Sequence, residues 1–173
     1  MSLLAGLTAN GTLAHLDAEA LAALSQYGST YSYKEGDVII REKSLQNHLG
    51  LVVEGQLEVI KDIKGRQMQL ALLRPGDCFG EMSLFQSEPA SATVRAQCDG
   101  KLWLLSEAQM QKFIKEHPAA GLALIWGVNT VLSQRIDDAN GVIRANQVLP
   151  SFLSVRSKKS AVTAISQAAK EKK

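Results

Sequence analysis

The chain has 173 residues, 46% of them hydrophobic and 21% charged, with a formal net charge of +2. That length holds one domain with a proper core plus an appendage, and so small a net charge gives no footing for nucleic-acid or membrane binding. The longest apolar stretch, around Ala119–Val128, is short and interrupted by glycine, which excludes a membrane span there.

The N-terminus lacks a basic region followed by a long apolar core, so no signal peptide is expected. Cys78 and Cys98 lack CxxC spacing and read as reduced thiols, which points to the cytoplasm. Residues 1–15 are mixed in character and read as a loosely ordered N-terminal segment. Asp17 can cap a short helix running through Ser25, with Leu16, Ala20, Leu21 and Leu24 as its apolar stripe.

From Ser29 to Leu105 short runs of β-formers alternate with turns. The strands expected are Tyr31–Lys34, Val38–Arg41, Leu49–Glu54, Leu57–Lys61, Met68–Leu73, Thr93–Gln97 and Leu102–Leu105. Gly36, Gly55 and Gly76 punctuate them as turn formers. Strands at this spacing predict a barrel or sandwich. One segment inside the β region, Gly80–Phe85, has helix-forming character instead, and the exposed N-terminus of a helix is a ready anion site.

Ser106 then opens a helix with Gln109 at the capping-box position, ending at His117-Pro118. A longer helix is expected over about Ala119 to Asn146, spanning roughly 40 Å at 1.5 Å per residue. On it Leu122, Ile125, Asn129, Leu132, Ile136, Ala139 and Ile143 follow the 3–4 spacing of a coiled-coil seam, and Leu124, Val128 and Val131 make a second strip that can pack on the β region. Two strips predict a homodimer through this helix, with Asn129 selecting the register; the other reading is a single wide stripe facing the chain's own core. Past Pro150 the sequence is rich in Ser, Ala and Lys and reads as weakly helical or disordered. Its basic residues suit a solubilising tail, with contact to an acidic partner or nucleic acid as the other readings. The domain organisation expected is therefore residues 1–15, a β-roll with flanking helices over 16–116, a dimerisation helix over 117–147 and a basic tail over 148–173.

Four motifs stand in order: Gly36-Asp37, then 53–59 (Val-Glu-Gly-Gln-Leu-Glu-Val), then 75–84 (Pro-Gly-Asp-Cys-Phe-Gly-Glu-Met-Ser-Leu), then 89–96 (Pro-Ala-Ser-Ala-Thr-Val-Arg-Ala). With the two helices that follow, they resemble the cyclic-nucleotide-binding domain in the form found in bacterial catabolite-activator-type regulators. The resemblance implies a mainly β fold with flanking helices, a β-roll of the jelly-roll type with an embedded phosphate-cassette helix and a long C-terminal helix. It also implies a ligand such as cyclic AMP or cyclic GMP. Gly80 would let the backbone approach that ligand, Glu81 would accept from the ribose hydroxyl, and the N–H groups of Met82 and Ser83 would face the cyclic phosphate. Leu70 and Leu73 would line the pocket, and Asn140 would meet the base. From the residues alone, Glu81 reads equally as a carboxylate steadying a helix N-terminus, and Asn140 as a surface asparagine.

The sequence departs from the family at one telling place. Where the family reads Pro-Arg-Ser-Ala, this chain reads Pro89-Ala90-Ser91-Ala92. The missing arginine would neutralise the phosphate by a charge-assisted bond. Its loss is expected to cost on the order of 3–5 kcal/mol, or about two to four decades in affinity. Ser91 retains a neutral donor, worth about 1 kcal/mol. Arg95 lies at opposite strand parity and should point away from position 90, which leaves Arg74, just ahead of a turn, as the other cation to consider.

The family's transcription factors continue into a helix-turn-helix domain, and no recognition-helix pattern follows Pro150. His15, His48 and His117 lack metal-ligand spacing, so no metal is expected. No nucleophile motif is present, so no enzyme is expected. Two readings follow: a sensor module that binds a cyclic nucleotide weakly or takes another ligand, and an interaction or scaffold domain with no nucleotide ligand, working through an unknown protein partner.

Overall fold

The computed structural model describes residues 6–82 and 88–138. The chain divides into two compact units, Met1–Val131 and Leu132–Lys173.

In the first unit, residues 6–16 are held against the body of the fold, contrary to the loose start expected. Leu7, Thr12, Leu13 and Leu16 are buried, and a 3₁₀ turn at Gly11–Leu13 donates the Thr12 N–H to Gly76 O at 3.0 Å. The apolar residues of this segment recur too irregularly to announce that burial. Helix α1 (Ala18–Leu24) follows, capped as expected by Asp17, whose carboxylate accepts the Ala20 N–H at 2.8 Å.

Among the described residues eight strands come next: β1 (Ser29–Tyr33), β2 (Val38–Ile40), β3 (His48–Glu54), β4 (Leu57–Ile63), β5 (Arg66–Leu73), β6 (Cys78–Phe79), β7 (Thr93–Ala96) and β8 (Gly100–Ser106). They form two four-stranded antiparallel sheets, β1-β8-β3-β6 and β2-β7-β4-β5. The seven expected strands all form, within a few residues at their ends. The addition is β6, two residues long and too short to show a period of two. Every strand contributes to the apolar cluster between the sheets, which includes Tyr33, Ile40, Val52, Leu57, Leu73, Phe79, Ala90, Val94, Ala96 and Leu102. This is the mainly β roll with flanking helices that the motifs imply.

The pairing register gives the roll two ends. At one end the connections 34–37, 55–56, 74–77 and 97–99 meet, since Leu57 pairs with both Leu73 and Ala96, and Tyr33 pairs with Gly100. Gly36, Gly55 and Gly76 all take positive φ there, as turn formers do. At the other end lie the 41–47 connection, the Lys64-Gly65 hairpin tip, and residues 80–82 and 88–92, since Ile63 pairs with Arg66, Ile60 with Thr93 and Gly50 with Phe79.

Helix α2 (Glu107–Glu116) starts with the full capping box, Ser106 and Gln109 each bonding the other's backbone. It ends where His117 adopts a non-helical conformation, one residue before a proline. Phe113, with no exposed surface, packs its ring against Tyr27 and His117 at 5.2 and 5.4 Å between centroids. The Tyr27 hydroxyl donates to the Glu116 carboxylate, and that bond holds the phenol above its usual range.

Residues 118–138 are helical (α3), of which 118–131 belong to the first unit. Leu124, Val128 and Val131 are buried there, as the second strip predicts. Gly127 explains how the helix comes so close: a Cβ on it would stand 1.9 Å from the Thr12 carbonyl oxygen, so only glycine fits against the 3₁₀ turn. In the second unit, residues 132–138 are helical, with Leu132 half-buried and Ile136 exposed. Ala139, Asn140 and Ile143, and the tail past Pro150, lie outside the described residues.

Candidate functional site

β6 ends at Phe79, and Gly80 follows it. Gly80 sits at φ +77°, and a Cβ there would stand 2.5 Å from the His48 carbonyl oxygen. Both the left-handed conformation and the close approach to β3 demand glycine. Glu81 follows, buried at 6% exposure and helical. Met82 is half exposed. Ser83, expected to offer its N–H, lies outside the described residues.

Ala90 reaches the same end of the roll from the β7 side. Its N–H donates to Ser44 O at 2.9 Å and its carbonyl accepts from Lys43 N–H at 2.8 Å, so its backbone is clamped to the 41–47 connection. Its methyl group is 8% exposed and belongs to the apolar cluster with Ile40, Phe79 and Val94. The position expected to carry an arginine therefore faces the interior and carries no polar group. Ser91, the next residue, is exposed.

The leucines separate. Leu73 is 2% exposed and inward, as expected. Leu70 does not line the interior; it is 51% exposed. The strand's alternation gives the reason: Leu73 and Ala71 pair with Leu57 and Val59 on the inward face, so Leu70, three residues from Leu73, has the opposite parity.

Neither alternative cation reaches Ala90. Arg95 lies on the outer face, as its parity predicts, where its Nη2 and Nε approach Glu58 Oε1 at 2.6 and 2.7 Å. Gln97 adds a bond to the other Glu58 oxygen at 3.2 Å. Arg74 sits at the opposite end of the roll, where its N–H donates to Asp77 at 2.8 Å. At that far end Tyr33 closes the interior by donating its hydroxyl to Glu54 O at 2.8 Å. Burial, with Cys98 and Glu54 adding, pushes its phenol above the usual range, so Tyr33 stays a neutral donor.

Two features escape sequence reasoning. The pairing of Ala90 with residues 43–44 carries no local signal, because the partners lie on different loops. Trp126, 61% exposed on α3 beside the expected seam, could have been found from its i+4 relation to Leu122. Among the described residues, no three His, Cys, Asp or Glu side chains cluster as a metal site would, and no helix is long and apolar enough to cross a membrane.

This geometry agrees with known proteins. The roll superimposes on a cyclic nucleotide-binding domain from Methylobacillus flagellatus with a TM-score of 0.72 at 23% identity, covering 76% of this chain and 74% of that one. The catabolite activator protein of Thermus thermophilus gives a TM-score of 0.68 at 27% identity, over 78% of this chain and 62% of that one. A cAMP-dependent protein kinase regulatory subunit from Blastocladiella emersonii is 38% identical over 72 residues, 41% of this chain and 17% of that subunit. The chain spans less than a fifth of the length of the curated relatives it matches first. The sequence profile of the cyclic nucleotide-binding domain matches residues 30–117, just over half of the chain. On that match, and on the roll that carries it, the chain belongs to the cyclic nucleotide-binding domain family.

Proposed function

We propose that this chain is a cytoplasmic regulatory module that takes a cyclic nucleotide weakly at the Gly80–Glu81 corner and pairs with a second copy through α3. It acts by binding rather than by catalysis. One observation carries the ligand reading. The corner keeps its left-handed glycine and buried carboxylate, while Ala90, clamped beside it, offers the phosphate no charge. The matched kinase subunit is named for its dependence on cAMP, which makes cyclic AMP the first ligand to test and cyclic GMP the second. Cys78 and Cys98 are free thiols, in keeping with a reducing compartment.

Calorimetry with each nucleotide tests this. A saturable heat with a dissociation constant between about 10 μM and 1 mM is expected, two to four decades weaker than a complete site would give. No heat at millimolar nucleotide leaves the second reading for these ligands, a scaffold domain whose interior is filled by its own side chains. That reading has its own support in the apolar company of Ala90.

The pairing reading rests on α3. Leu122 is 67% exposed and Trp126 61%, beside half-buried Ile125 and exposed Asn129, while the opposite strip is buried. Leu132 and Ile136 continue the same spacing. Because Leu122 is exposed in the single chain, Leu122→Asp leaves the monomer fold intact. It is expected to halve the mass seen by light scattering, and an unchanged mass sinks the dimer.

A further inference from the structure

We propose that Lys43 supplies the counter-charge for the ligand's phosphate that position 90 lacks. This rests on the reading of the site as one for a cyclic nucleotide. The residue next to Ala90 across the backbone clamp is Lys43, whose N–H donates to Ala90 O at 2.8 Å. Backbones paired in this way stand about 5 Å apart between Cα atoms. A lysine carries its charge on a flexible four-carbon stem. The ammonium can therefore cover the region that a side chain growing from position 90 would reach.

Three further observations favour Lys43. Its side chain is exposed at the rim of the interior, and among the described residues it has no ion-pair partner. Its φ is +66°, a conformation unfavourable for a non-glycine residue and one that clusters at ligand sites. Of the roll's other cations some are paired and some are not, and Arg74, at the opposite end, has no ion-pair partner among the described residues. Lys34, Arg95 and Lys101 are held by Asp99, Glu58 and Glu54 at 2.7, 2.6 and 2.9 Å. At the Gly80 end, Arg41, Lys43, Lys61, Lys64 and Arg66 have no such partner among the described residues, and the nearby carboxylates of Glu42 and Asp62 accept backbone N–H groups of Asp62 and Gly65. A cationic rim without ion-pair partners among the described residues, which the carboxylates of Glu42, Asp62 and Glu88 share, thus borders the glycine–glutamate corner. Of its members, Lys43 alone is bonded to the backbone of residue 90.

The test is calorimetry of the full chain with cyclic AMP, cyclic GMP and uncharged adenosine. Lys43→Asn removes the charge with a residue that tolerates positive φ, so the variant is expected to fold, as a thermal melt verifies. Affinity for the cyclic nucleotide should fall about ten- to a hundredfold, while any adenosine heat stays unchanged. Lys43→Arg should retain binding, Arg74→Gln at the opposite end of the roll should match wild type, and the wild-type affinity should weaken as salt rises. Wild-type binding that survives Lys43→Asn unaltered, or that falls equally with Arg74→Gln, overturns the assignment and leaves the cyclic-nucleotide reading standing. A wild-type chain that takes no nucleotide overturns that reading, and Lys43 with it.

Discussion

Ala90→Arg is expected to tighten binding of cyclic AMP or cyclic GMP by about two to four decades, because it restores a charge-assisted partner to a phosphate in a partly desolvated site. The same substitution should lower the stability of the ligand-free protein. Position 90 is 8% exposed and packed among Ile40, Phe79 and Val94, and Lys43 is bonded to its backbone. With no anion present, an arginine there is either desolvated in apolar surroundings or turned out toward a like charge. Nucleotide should reverse the deficit: at a hundred times the dissociation constant, ligand binding contributes about 2.7 kcal/mol of stability. Two readouts check this, calorimetry for affinity and thermal melts with and without nucleotide for stability. A variant that binds no better than wild type means that the interior is closed by more than one residue, and the scaffold reading then gains.

The second large effect concerns the junction of α2 and α3. Phe113→Ala should destabilise the fold by about 3–5 kcal/mol, the range for removing a fully buried phenylalanine. Phe113 has no exposed surface, and its ring is the shared contact of Tyr27, which precedes β1, and His117, which ends α2. Truncation leaves a cavity beneath the Tyr27–Glu116 hydrogen bond and loosens the link between the roll and the start of α3. In urea the midpoint should fall with the slope unchanged, since the surface exposed on unfolding is nearly the same. A loss under about 1 kcal/mol would show that the site collapses around the missing ring.

Much of the fold is legible along the chain because its signals are local. Asp17 and the pair Ser106–Gln109 announce helix starts, since a cap needs only residues within one turn. Strand positions follow from β-formers bounded by Gly36, Gly55 and Gly76, whose positive φ values are what the turns require. The buried strip Leu124, Val128 and Val131 follows from helical periodicity. The outward course of Arg95 follows from alternation counted from position 90. One failure is itself local: Leu70 stands three residues from inward Leu73, and strand alternation alone puts the two on opposite faces. The other is non-local. Residues 6–16 are packed down because Gly127 and Gly76, both remote in sequence, leave room for the 3₁₀ turn.

The site divides along the same line. The amino-acid sequence by itself determined that this is a β-roll of the cyclic nucleotide-binding family, that Gly80 and Glu81 stand where the family's motif has its glycine and glutamate, and that alanine stands where the motif has its arginine. Those facts rest on residue identity and short spacing. Only the tertiary structure decided that Ala90 is turned into the apolar interior, that Arg74 lies at the wrong end of the roll, and that Lys43 is the cation bonded to the backbone of residue 90. These relations arise from hydrogen bonds between loops joined by separate strands, and no period along the chain encodes which loops the folding of two sheets brings together.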